Sequence, residues 1–177
     1  DVATGQVTRL TADGHAGKEY HKHSYNDHAV VPRAGLIARI CLSKFLVALV
    51  HGASAQIKAL AEEQKIKASD FDGTGVTDSE TLKLALTAAT RLTHEMLEGL
   101  SANDLRAACS NAIIAHPMGI LHGVDHLFTG KVERVDTELL QTLLNQGIVP
   151  VVPPLGFDGD GKTYRVNADS VAVAIAD

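Results

Sequence analysis

Apolar and polar positions change period several times along the chain, and each change marks an element. Within "DSETLKLALTAATRLTHEMLEGL" (78–100), Leu82, Leu86, Ala89, Leu92, Met96 and Leu100 recur at helical spacing. This predicts a long amphipathic helix capped by Asp78 or Ser79. Upstream, "FLVALVHG" (45–52) reads as a buried strand ending in a glycine turn, and "SAQIKALAEEQKI" (54–66) as a helix with Ser54 at its N-cap. Ile57, Leu60 and Ala61 form that helix's apolar stripe. Before the strand, "AGLIARICLSK" (34–44) sets Leu36, Ile37, Ile40 and Cys41 on one helical face.

The second half is more finely punctuated. "ACSNAIIAHPMGILHGVDHLFTGKVERVD" (108–136) mixes short apolar runs with Gly and Pro, the pattern of short strands and hairpins. "TELLQTLLNQG" (137–147) predicts a compact helix with Thr137 at its cap and Gly147 at its end. "IVPVVPPLG" (148–156) reads as a buried strand, "FDGDGKTY" (157–164) as a tight turn, and "NADSVAVAIAD" (167–177) as a helix opening on Asn167 or Asp169. Strands alternating with helices predict a βαβ-type α/β domain. Residues 1 to about 30 show no such periodicity and are rich in polar residues, Gly and His, so an irregular arm is expected there.

At 177 residues and 45% hydrophobic content, the chain suits one domain around one core. With 4% aromatics and no Trp, that core rests on Leu, Val, Ile and Ala, as where helices cover a parallel sheet. A formal charge of −5 supplies no basic field, so nucleic acid is not an expected partner. No apolar run approaches membrane-spanning length and the first residues lack a secretory signal, so no membrane partner is expected. Cys41 and Cys109 stand far apart, which fits a reducing compartment and a cytoplasmic protein.

Several stretches invite a chemical reading. "SDFDGTGVTDSET" (69–81) contains the Asp-x-Asp-Gly-Thr of dehalogenase-type phosphatases. Such a nucleophile needs a buried strand before it. Here "EEQKIKAS" precedes Asp70, so a turn between helices is expected, with Thr77 and Asp78 capping the next one. As a calcium loop it fails as well, because Thr81 stands where a bidentate Glu is required. His15, His21, His23 and His28 in the arm suit adventitious Zn²⁺ or Ni²⁺ rather than a rigid structural metal site, so no metal is assigned. His116, His122 and His126 read as hydrogen-bonded histidines at strand ends. Two helix N-termini remain: one follows the Gly52–Ala53 turn, and the other opens on Asn167 and Asp169. Together they could hold an anion across the ends of parallel strands.

Four segments, "VHGASAQI", "VTDSETL", "AHPMGILHGVDHLFTGKVERVD" and "GIVPVVPPLGFDGDGKTYRVNADSVAVAIA", resemble in order the amino-acid kinase domain of N-acetylglutamate synthase, and more distantly N-acetylglutamate kinase. The likeness covers about residues 45 to 177 and is most specific from Pro117 to Asp136. It implies a three-layer αβα fold with a mostly parallel sheet, present in incomplete form, with residues 1–44 as an unassigned arm. It further implies a homo-oligomer, a place in arginine biosynthesis and arginine as feedback effector. Acetyl transfer from acetyl-CoA to glutamate would then lie in a domain outside this chain. By the same resemblance, Gly52, Ala53, Asn167 and Asp169 are substrate-binding candidates, and no catalytic residue is assigned. The kinase alternative implies ATP, Mg²⁺ and N-acetylglutamate; a non-catalytic arginine-sensing or oligomerisation module is the third expectation. Three positions depart from the kinase pattern: Gly75 stands for its carboxylate-binding arginine, Ala53 for the turn's second glycine, and Arg165 for an asparagine.

Overall fold

A computed structural model describes residues 46–66 and 75–177. The predicted helix over 34–44, the His-rich arm and Asp70 lie outside the described residues. Four helices are described: α1 (Ser54–Gln64), α2 (Ser79–Ser101), α3 (Thr137–Asn145) and α4 (Ala168–Ala176). The strands are β1 (Leu49–Val50), β2 (Ala107–Cys109), β3 (Ile113–Pro117), β4 (Ile120–Leu121), β5 (Val124–Asp125), β6 (Gly130–Val135), β7 (Val149–Val152), β8 (Leu155–Phe157) and β9 (Thr163–Arg165).

The centre is a parallel sheet in the order β1-β7-β2, with Leu49 opposite Val151 and Val50 opposite Val152. Because side chains alternate across a strand, each pair feeds a different face. Leu49 and Val151 pack with Val149, Leu92, Met96 and Leu100 under α2. Val50 and Val152 pack with Leu140 of α3 and Val171 of α4 on the opposite face. Helices therefore cover both sides, which gives the three-layer αβα arrangement and explains why β7 is buried at all four positions. Beside this sheet lies a second one, β6-β3-β8-β9, in which β3 and β8 run parallel and the outer pairs antiparallel. A two-stranded hairpin, β4-β5, projects from it.

Several sequence expectations shift by one or a few residues. The run 148–156 is two strands rather than one. Pro153 and Pro154 separate β7 from β8, since proline supplies no amide to continue a ladder, and β8 pairs in the other sheet. On α2 the deeply buried face holds Leu84, Ala85, Ala88 and Ala89, while Leu82 and Leu86 are only half-buried. Those small residues form the seam where α2 meets Ala53, Ile57, Leu60 and Ala61 at α1. Alanines let two helices approach closely, which a stripe chosen for large residues does not reveal.

The caps move similarly. Asp78 caps α2, accepting from the Thr81 amide at 2.7 Å. Thr77 does not cap; it is buried, and its backbone bridges Leu127. For α3 the cap is Asp136, which accepts from the Leu139 amide at 2.9 Å, and Thr137 is already helical. For α1, Ala53 occupies the N-cap with no side-chain acceptor, and Ser54 is the first helical residue.

Candidate substrate cleft

Strand β1 ends at Val50, and the chain stays in register for one more residue, the His51 amide donating to the Val152 carbonyl at 3.2 Å. Gly52 then turns the backbone into α1. A helix start leaves amide hydrogens without intrahelical partners, and Ala53 brings no oxygen of its own to them. The turn thus presents backbone donors and the positive end of a helix dipole at the carboxyl edge of the parallel sheet.

The second helix tip arrives from the other sheet. Strand β9 leads through Val166 to Asn167, whose Oδ1 accepts from the amides of Asp169 at 2.8 Å and Ser170 at 3.0 Å. Asn167 is therefore committed to capping α4, and the exposed Asp169 sits in the helix's first turn. The two tips meet. A Cβ built on Gly52 would lie 3.7 Å from the Ala168 Cβ, and α4 packs against β1. Of the four candidate residues, Gly52 thus lies at the first turn of α4, where Asn167 and Asp169 stand, and Ala53 is its chain neighbour, buried against α2.

Composition and spacing did not single out His51, which is 1% exposed beneath this turn. Its Nδ1 lies 3.2 Å from the Gly52 carbonyl and its Nε2 lies 2.9 Å from Thr93 Oγ1 on α2. Burial holds the ring's pKa below the ordinary histidine value, opposed by the Gly52 carbonyl, so the neutral imidazole is favoured. The signal for it in sequence was a histidine closing an apolar strand directly before a glycine.

At the second sheet, Thr129 is the buried junction between β6 and the segment that starts at Gly75. Its Oγ1 donates to the Gly75 carbonyl at 2.7 Å, accepts from the Thr77 amide at 3.0 Å, and lies 2.9 Å from Thr77 Oγ1. Arg165, on β9, is 4% exposed, and its backbone bridges Thr129. Gly75 and Arg165, two of the positions that depart from the kinase pattern, are thereby neighbours through Thr129. The predicted turn in "FDGDGKTY" is present: Asp158 accepts from the amides of Lys162 at 2.8 Å and Asp160 at 3.0 Å, and from Tyr164 Oη at 3.0 Å. These bonds, the Lys162 amide foremost, hold its carboxyl below the usual aspartate range.

Of the strand-end histidines, His116 reaches the Pro117 carbonyl with Nδ1 at 3.0 Å. His126 departs from expectation, since its Nδ1 is buried with no hydrogen-bond partner among the described residues. Among the described residues, no three His, Cys, Asp or Glu side chains converge as a metal cage, and no helix is long and apolar enough to cross a membrane.

Residues 31–177 match the model of the amino acid kinase family. The chain belongs to the amino acid kinase family. It is 37% identical to the acetylglutamate kinase of Methanopyrus kandleri over 137 residues, 72% of this chain and 56% of that protein. It is 31% identical to the amino-acid acetyltransferase of Pseudomonas fluorescens over 137 residues, 72% of this chain and 32% of that protein. Among solved structures, N-acetylglutamate synthase from Neisseria gonorrhoeae, complexed with coenzyme A and N-acetyl-glutamate, aligns with a TM-score of 0.72 and 26% identity over 86% of this chain and 36% of that one. The chain spans about half the length of the curated kinases it matches and about a third of the acetyltransferase. It is an amino-acid kinase-like domain related to both enzymes, as its four motif segments imply.

Proposed function

We propose that this chain is the amino-acid kinase-like portion of an N-acetylglutamate synthase, a transferase of arginine biosynthesis acting in the cytoplasm as a homo-oligomer. The observation that carries the reading is the meeting of the Gly52 turn with the first turn of α4 at the rim of the parallel sheet. The amides at the start of α1, beside the dipole of α4 whose own first amides Asn167 already takes, favour a carboxylate or similar anion, and N-acetylglutamate, glutamate and arginine all carry one. The cleft's role is to bind and regulate. Glutamate's amine would attack the acetyl-CoA thioester in a domain outside these residues, with the thiol of coenzyme A leaving. The departures favour this over phosphotransfer: with Gly75 where a cation is needed, a transferring phosphoryl group has lost a charge partner at that position.

The acetylglutamate kinase reading is kept because a kinase is 37% identical to this chain. Under it, ATP and Mg²⁺ supply the phosphoryl group, and the Gly52–Ala53 turn with the α4 tip would steady its oxygens. A coupled assay for ADP release separates the two. The synthase reading expects calorimetric binding of N-acetyl-L-glutamate or arginine by the purified chain without turnover of ATP. ATP-dependent turnover with N-acetyl-L-glutamate would replace it with the kinase, and binding of neither small molecule would remove the cleft.

A further inference from the structure

Among the described residues β1 is an outer strand of the central sheet, and the helix packed on it leaves one flank bare. Helix α4 begins where Ala168 meets Gly52 and places the buried Val171 against Val50, so it runs back along β1 toward Leu49. At about 100° per residue, Ala172 and Ile175 share the flank that turns to the second sheet, where they pack on the cluster that includes Ile113 and Ala115. The opposite flank holds Ser170, Val173, Ala174 and Asp177, at the i, i+3, i+4, i+7 spacing of one helical stripe. Val173 is 60% exposed there. Residues 171–176 read Val-Ala-Val-Ala-Ile-Ala, so past its first turn α4 is apolar all round, the composition of a helix with neighbours on every side.

The sheet beside that flank is bare as well. Val47 and Leu49 pack into one cluster under α2, so the chain already alternates there, and Leu46 falls on the other face with Val50 and α4. Leu46 is 55% exposed. Leu46 and Val173 thus border one apolar strip along the outer edge of β1.

The segment 34–44 matches this strip in reach, length, polarity and charge. It stops two residues before Leu46, at the amino end of β1. As a helix its eleven residues would measure about 16 Å, against about 14 Å for α4. Leu36, Ile37, Ile40 and Cys41 recur on one helical face and need an apolar surface to cover them. The segment carries Arg39 and Lys44 and no acidic residue, whereas α4 has no basic residue in its last turn and Asp177 at its C-cap. Lys44, at the end nearest the amino edge of the sheet, therefore suits the negative end of the α4 dipole. The match to the family model begins at residue 31, which puts the segment in the same domain.

We infer that residues 34–44 dock as an amphipathic helix in the strip between α4 and the edge of β1, with Leu36, Ile37, Ile40 and Cys41 against Val173, Ala174 and Leu46. The docked segment completes the helix layer behind the Gly52–Ala168 contact.

Cys41 reports on the docking. With iodoacetamide on the whole chain and peptides read by mass spectrometry, Cys41 should be alkylated about tenfold or more slowly than in the urea-unfolded chain. Cys109, exposed on the opposite outer strand β2, shows that the reagent reaches the folded molecule. Val173→Lys should bring Cys41 to within about threefold of its unfolded rate and leave Cys109 unchanged, while Val173→Leu should keep the protection. Should Val173→Lys not fold by circular dichroism, Leu46→Lys, on the sheet side of the strip, decides with the same expectation. Unprotected Cys41 in the folded chain overturns the inference, and so does protection that survives the lysine substitution. Protection that disappears when the chain is diluted assigns the strip to a second copy and overturns it as well.

Discussion

Gly52 and Ala168 stand 116 positions apart in sequence, yet a methyl group added at Gly52 would touch the Ala168 Cβ at 3.7 Å. That separation is ordinary van der Waals contact, so Gly52→Ala is expected to fold with little change in thermal midpoint. It would instead narrow the gap between the two helix tips. Calorimetry should show N-acetyl-L-glutamate binding weakened by about tenfold or more, and circular dichroism an unaltered melt.

Gly156 offers the opposite case. A Cβ there would fall 2.5 Å from Ala115 Cβ and 3.2 Å from Ile113 Cγ2, inside the closely stacked β3–β8 pair. Neither neighbour can swing aside, because both belong to buried strand positions. Gly156→Ala should lower the urea midpoint by an amount equivalent to about 1–3 kcal/mol, the usual cost of overpacking. An unchanged midpoint would mean the two strands sit farther apart.

Asp136 rather than Thr137 caps α3. Asp136→Ala removes the acceptor for the Leu139 amide and is expected to cost about 1 kcal/mol, whereas Thr137→Ala should fall within about 0.5 kcal/mol of no change. Paired denaturation curves check the order.

His51 gives stability a pH dependence. The unfolded ring takes up its proton near 6.5, while in the folded chain burial pushes that event to lower pH. Between the two values the unfolded state binds more protons, so stability rises with pH across that window. The full contribution is present above 6.5 and is lost as pH falls through the folded value. Urea midpoints measured from pH 7 downward should decline, and His51→Asn, which has no titrating ring, should flatten that decline.

Thr129→Val keeps the shape of the side chain but leaves the Gly75 carbonyl and the Thr77 amide without this hydroxyl. Such buried losses cost about 1–3 kcal/mol. Amide hydrogen exchange should rise first at Thr77 and Phe128, whose amide is tied to the Thr77 carbonyl.

Much of this molecule is written locally. The alternation of strands with amphipathic helices, the Asp78 and Asn167 caps and the Asp158 turn each depend on residues within a few positions of one another, so periodicity and side-chain chemistry reveal them. The split of 148–156 into β7 and β8 was also local in cause, resting on Pro153 and Pro154, but its outcome, membership of two different sheets, was not. Likewise α2's small-residue seam follows from what α1 presses against it.

The sequence by itself determined the α/β class and two helix starts able to attract an anion, because hydrogen-bond capping and hydrophobic period act over one turn or one strand. Only the tertiary structure decided that those starts converge at Gly52 and Ala168, that His51 lies beneath the turn with its ring between Gly52 and Thr93, and that Gly75 and Arg165 adjoin through Thr129. Those relations join residues dozens of positions apart, and they exist only once β1 and β7 pair in parallel and α4 folds back across their ends.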